Sequence, residues 1–299
     1  MKHIFSTSKY LLLAVTASAI LTTSCMHEEL SACYRFTLKA ENFAGDDITE
    51  SGDVAEASLY IFDEKYNHLE TRPLDLAFLK SRQEIVLSYP EDTKLHIVAW
   101  GNAQQGNQIV NEADLIQDLR VKLKSNNGLA DAPDELYYGN RLVQTKAGGG
   151  ITKNDEIVIR PKISSVMVRT EGLKYVASKL RATPSADAFH STVGTTPDAF
   201  GYDGTQVGDD VIYSPTFTLE SNELKTPKHN MAAGQNLKVA LDYNGKMLAT
   251  TTVDENGDPL VAPEGQSLLV VFRFSSDGAF IGVRAMVRPW GYIEDNIEF

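Results

Sequence analysis

Cys25 is the residue with the clearest chemistry in this sequence. Lys2, His3 and Lys9 make a short basic start, Tyr10 to Leu21 is apolar, and Thr22, Thr23 and Ser24 lead directly into the cysteine. That order reads as a secretory signal, and a cysteine straight after small residues reads as a lipoprotein processing site. Diacylglycerol plus an amide-linked chain on Cys25 gives more than one buried acyl group, enough for stable membrane attachment. The apolar run itself is too short to cross a bilayer, which takes ~20 residues. The lipobox is atypical in one place: Thr22 stands three residues before the cysteine, and Leu21 one further back. Ordinary secretion with an incidental Cys25 is the alternative, and the lack of an A-x-A-type cleavage site speaks against it.

Other reactive groups lead nowhere as specific. Acylation of Cys25 uses the only other cysteine, which makes Cys33 a buried small hydrophobe or a thiol; a Cys25–Cys33 disulfide is the competing arrangement. The six histidines form no H-x-H or H-x-x-x-H pair, so no metal site is expected. There is no G-x-S-x-G elbow, and Gly148–Lys153 fails the spacing of a phosphate loop. Asp254-Glu255-Asn256-Gly257-Asp258 begins like a calcium loop, but Pro259 and Gly265 occupy the places that need Gly and Glu. It reads as a charged hairpin turn, and Asp46-Asp47 and Asp209-Asp210 read as solvated pairs. No catalytic residue, cofactor or enzyme activity is expected. A net charge of −12 and no basic cluster with interleaved aromatics argue against nucleic acid. Cleavage before Cys25 removes two lysines and no acid, which takes the charge to −14.

The elements around these residues read as strands throughout. Tyr34–Leu38, Ala57–Phe62, Gln83–Ser88 and the strongly apolar Leu95–Trp100 come first. Glu156–Arg160, Ser165–Thr170, Val211–Leu219, Leu237–Tyr243, Lys246–Val253, Ser267–Ser275 and Ala279–Val287 follow. Asn244-Gly245, Asn256-Gly257 and Asp277-Gly278 supply the positive φ of tight turns. Leu74–Lys80, Ala113–Lys122 and Val176–Leu180 suit short helices. Ser125–Pro133 and Thr183–Asp210 look like loops, the second long enough to be either functional or mobile. Repeated strands with Gly, Asn, Asp and Pro punctuation predict an all-β sandwich architecture, with a boundary near Pro161.

A family pattern follows from the order of these pieces. The lipobox cysteine precedes Glu28-Glu29-Leu30-Ser31-Ala32-Cys33, then Leu59-Tyr60-Ile61-Phe62-Asp63, then Leu95-His96-Ile97-Val98-Ala99-Trp100-Gly101-Asn102. Glu135-Leu136-Tyr137-Tyr138-Gly139 and the Ile159–Val168 stretch before Glu171-Gly172-Leu173 complete the series. It resembles the fimbrium anchoring subunits of type V pili, over nearly the whole chain from Cys25 onward. Glu28 and Glu29 also resemble the surface-export signal of lipoproteins in Gram-negative anaerobes.

The resemblance implies two transthyretin-like Greek-key β-sandwich domains in tandem: a signal peptide at 1–24, a lipidated tether at 25–33, and sandwiches at 34–160 and 161–299. It implies a surface-exposed outer-membrane lipoprotein that holds fimbrial stalk subunits by donor-strand exchange, in which one subunit's strand completes another's sheet. An anchor keeps its N-terminus, so the chain is expected to stay intact at Arg35. Ile293, Asp295, Ile297 and Phe299 share one strand face, and Ile293, Ile297 and Phe299 are the donor-strand candidates; pairing within the chain's own domain is the alternative. Trp290 and Tyr292 suit core or interface, Trp100 core. A tip or accessory subunit is one rival. A glycan-binding lipoprotein, using Phe189, Phe200 and Tyr202, is another.

Overall fold

Alternation of apolar and polar side chains sets the first strand, Ala32–Ala40, in which Tyr34, Phe36, Leu38 and Ala40 are all buried. The computed structural model describes residues 32–104, 106–147, 155–180 and 185–290. Cys25, Tyr292, Ile293, Ile297, Phe299 and the Gly148–Gly150 run lie outside them.

The first strand takes part in two layers. Residues 32–36 pair antiparallel with Ile85–Tyr89, whereas residues 37–40 run parallel to Glu156–Pro161. From Glu156–Pro161 the sheet continues through Tyr137–Gln144, Lys94–Gly101 and Glu56–Phe62 to an edge at His68–Asp75. Phe36, Leu59, Ile61, Leu87, Ile97 and Ile159 fill the core between the layers.

The second half repeats the plan. Ile163–Glu171 runs parallel to Gln266–Phe274 and antiparallel to His229–Ala232, and Phe280–Pro289 forms the edge beyond Gln266–Phe274. A facing sheet is built on Phe189–Gly201, with Gln206–Tyr213 and Lys238–Tyr243 beside it. The chain between Gly101 and Tyr137 crosses over to this sheet: Arg120–Leu123 pairs with Phe189–Gly201, and Leu129–Ala130 with Gln206–Tyr213. Strand pairing therefore crosses the line expected near Pro161.

The two halves also share a core. Leu59, Ile61, Ile97 and Ala99 face the first core, while Tyr60, Phe62, Val98 and Trp100 face the second. A strand apolar on both faces is one buried on both faces. Trp100 is fully buried, its ring 4.8 Å from Tyr138 and 5.8 Å from Phe200. It is core, as expected, but at the seam between the halves.

Several local expectations are corrected. Ala113–Lys122 holds a single 3₁₀ turn, Ile116–Asp118, and then the strand Arg120–Leu123, because Val121 and Leu123 are buried with a period of two and Asn111 accepts from the Arg120 amide. Thr183–Asp210 is no loop: it contains Phe189–Gly201, the longest strand, with register shifts at Gly194/Thr196 and Pro197/Ala199 that accommodate its Gly and Pro. Val211–Leu219 divides into the end of Gln206–Tyr213 and a separate Thr218–Glu220. Cys33 is buried and disulfide-bonded, not a thiol. Among the described residues the α-helices are Leu76–Lys80, capped by the Asp75 carboxylate accepting from the Phe78 amide, and Leu173–Leu180.

Candidate attachment surfaces

The two ends of the described chain are held differently. At the N-terminal end the first strand enters directly into the core, with Ala32 fully buried opposite Tyr89 and Ala147. Tyr34 donates its hydroxyl to Asp155, which also pairs with Arg141 at 2.6 Å. Burial first, and then Asp155, push the Tyr34 hydroxyl far up from its ordinary range. Arg35 pairs in register with Val86 and its guanidinium meets Glu84 at 2.6 Å. Glu41 closes the strand, held by Lys39 at 3.0 Å and Arg160 at 2.5 Å. Tension on residue 32 along the strand loads bonds to flanking strands together, since those strands lie along the pull. A protease reaching Arg35 has to open the same bonds.

At the other end, Phe280–Pro289 is an edge strand that delivers Trp290 into a groove between the halves. The Trp290 ring lies 5.6 Å from Phe43, and Lys228 Nζ stands 3.2 Å over it. Burial lowers the Lys228 pKa against the opposing pull of Glu135, 3.5 Å away. Beside the ring is a cavity of about 250 Å³, lined by Phe43, Ile48, Tyr137 and Pro161 among others. Trp290 is half-buried and packs against the second core. Along its edge, among the described residues, the Val283 carbonyl of Phe280–Pro289 accepts from the Glu255 amide at 2.7 Å, and Ile281 and Val287 are exposed. The sequence offered no sign of the other edge, His68–Asp75, whose mostly exposed residues lack clean alternation and include Pro73.

The remaining candidates disperse. Phe189 and Phe200 are buried and so present no face to a sugar; Tyr202 is half-buried, its carbonyl accepting from the Tyr138 hydroxyl at 3.0 Å. Asp254 accepts from the amides of Asn256 and Asp258, while Glu255 pairs with Arg273 and Arg284. The His96 ring lies tilted 4.8 Å from that of Tyr66, and burial lowers its pKa. Among the described residues no cluster of His, Cys, Asp and Glu is placed to hold a metal, and no helix is long and apolar enough to cross a membrane.

The described residues form an all-β chain with a shared core, a first strand paired along its length and an outer strand at Phe280–Pro289. The chain belongs to the family described as fimbrillin-A associated anchor proteins Mfa1 and Mfa2, whose model matches residues 30–296. It is 24% identical over 286 residues to the major fimbrium anchoring subunit FimB of Porphyromonas gingivalis, covering 92% of this chain and 93% of that one. A second FimB sequence from that species is 25% identical over 281 residues, 90% of each chain. The solved fimbrial anchor protein Mfa2 from Porphyromonas gingivalis superposes with a TM-score of 0.62 at 15% identity, over 86% of this chain and 98% of that one. That last likeness is one of fold.

Proposed function

We propose that this protein is a lipid-anchored subunit of the cell outer membrane that holds a fimbrium at the surface. In this reading the leader is removed before Cys25, Cys25 is acylated, and residues 25–31 form the tether to the first strand, which starts at Ala32 rather than at 34; the second sandwich, expected at 161–299, also takes in strands from residues 108–130. The stalk joins by donor-strand exchange, with Ile293, Ile297 and Phe299 as the donor face. Membership of the anchor family supports the role; the observation that carries the mechanism is the first strand, paired along its length and buried at alternate residues. Such a strand transmits load from a membrane tether into the core without being shed. A thioether and a disulfide cannot share one sulfur, and the chain has two cysteines, so acylation of Cys25 takes the place of the disulfide in which Cys33 is otherwise held.

Replacing Cys25 by Ser tests the reading. The expected result is that the protein and its fimbriae leave the cell pellet and accumulate in the medium. Retention of fimbriae on cells carrying Cys25→Ser contradicts it.

A further inference from the structure

Of the two layers around the first core, one is small. The first strand gives it residues 32–36, with Ile85–Tyr89 on one side and Lys146–Ala147 against Ala32 and Cys33 on the other. At Phe36 the strand still pairs with Ile85; at Thr37 it has passed to Glu156 in the larger layer, which continues out to the edge at His68–Asp75. Among the described residues Ile85–Tyr89 pairs with no strand but the first, so its far edge carries open main-chain groups. One of them, the Val86 carbonyl, accepts from the Arg72 guanidinium, Nη1 to O at 2.6 Å. Arg72 stands opposite Leu59 in register and so lies on the core-facing side of His68–Asp75, with Glu70 and the buried Leu74. Its Nε and Nη2 donate to Glu70 at 2.8 and 3.2 Å, and Glu70 accepts in turn from the Tyr89 hydroxyl at 2.8 Å. The two charged side chains form one bridge that touches Ile85–Tyr89 at two points. Pro73, next along the strand, has no amide to give, which suits an edge closed by side chains rather than by a ladder. On the first strand's side the closure is also made by side chains: the Tyr34 hydroxyl donates to Asp155, which pairs with Arg141 at 2.6 Å.

We propose that the small layer is a lid: residues 32–36 and Ile85–Tyr89 open as one unit, turning at the Phe36–Thr37 junction, and the Arg72–Glu70 bridge is the latch that holds them shut. Within the lid the strands are joined by main-chain bonds in unbroken register from Ala32↔Tyr89 to Phe36↔Ile85. Between the lid and the larger layer stand the apolar contacts of Tyr34, Phe36, Ile85 and Leu87 and the side-chain bonds at its margins. A half-exposed charged bridge is the part of that closure that salt weakens. Units bounded in this way open at lower free energy than the whole fold. The inference does not depend on the anchoring role. If that role holds, a pull on the tether enters the fold at Ala32, and the latch carries it on the far side of Ile85–Tyr89.

Hydrogen–deuterium exchange read by mass spectrometry follows the lid segment by segment. In the full chain carrying Arg72→Leu, peptides covering 32–36 and 85–89 should exchange about tenfold faster than in the wild type, the scale of one hydrogen bond to a charged group discounted for partial exposure. Those covering 56–62 and 94–101, in the larger layer, should keep the wild-type rate. Arg72→Lys keeps the charge but loses the planar fork, and should fall between the two. Tyr89→Phe removes one point of contact and leaves the ring, so it should speed the same two segments by less. Added salt should speed them in the wild type more than in Arg72→Leu. Unchanged exchange at 85–89 in both Arg72→Leu and Tyr89→Phe overturns the latch. Exchange that rises at 85–89 without 32–36, or equally in all four segments, overturns the lid.

Discussion

Replacing Phe36 by Ala should convert the first strand from a closed to an openable element, and protease cleavage after Arg35 measures that. Phe36 is 2% exposed and packs in the first core next to Tyr34, at a ring separation of 5.4 Å. Truncating a buried phenylalanine costs about 3–5 kcal/mol. At ~1.4 kcal/mol per factor of ten, even the lower figure raises the opened population on the order of a hundredfold. When opening and closing are fast relative to cutting, cleavage follows that population. Trypsin at low concentration, with the products read by mass spectrometry, should leave the Arg35–Phe36 bond of the wild type intact while Phe36→Ala is cut there about a hundred times faster. Urea denaturation of both proteins supplies the stability difference independently. Cleavage of folded wild type after Arg35 at the rate of an exposed loop would refute the reasoning. So would a folded Phe36→Ala protein cut less than about fivefold faster, since a loss under ~1 kcal/mol means the strand is not held by its core side chain.

Further outcomes follow from the seam and from the charges on the first half. Gly204 has φ +75° and an added Cβ would lie 2.6 Å from the Tyr138 ring, which itself packs on Trp100, so Gly204→Ala should cost about 1–3 kcal/mol; a variant melting with the wild type contradicts the tight seam. Asp47 titrates at about 2: burial alone would raise it, but the Thr49 hydroxyl and amide and the Arg82 guanidinium outweigh burial. A depressed carboxyl stabilises the fold above its unfolded value near ~3.9, and that stability is lost as pH falls through about 2. The gap in stability between wild type and Asp47→Asn should therefore hold at neutral pH and close between roughly pH 4 and 2. Urea melts at stepped pH read it, and a gap of full size at pH 2 contradicts the assignment.

Strand positions were legible wherever apolar residues alternate or run together. Tyr34–Leu38, Leu95–Trp100 and Ser267–Ser275 each lie inside an observed strand or within a residue of it. The turn at Asn244-Gly245 was legible too, both residues having positive φ. What escaped was decided by partners distant in sequence. Phe189–Gly201 carries Gly194 and Pro197, which locally spell loop, yet pairing on both sides holds it as a strand. Ala113–Lys122 has helical spacing, but its buried residues complete another half's sheet. The two-faced burial of Leu95–Trp100 explains why Trp100 read as core while the seam stayed invisible: the run shows that both faces are buried, not against what. Nor did the sequence show that Arg169, Val271 and Arg284 share one row or that Arg273 lies opposite Glu171, because register across strands is tertiary information.

Mass spectrometry of the protein extracted from the cells that make it, reading the mature N-terminus, tests the anchoring account most directly. The account predicts a chain that begins at an acylated Cys25 and runs unbroken through Arg35. A chain that begins after Arg35 or another arginine would contradict it and indicate a processed stalk or tip subunit.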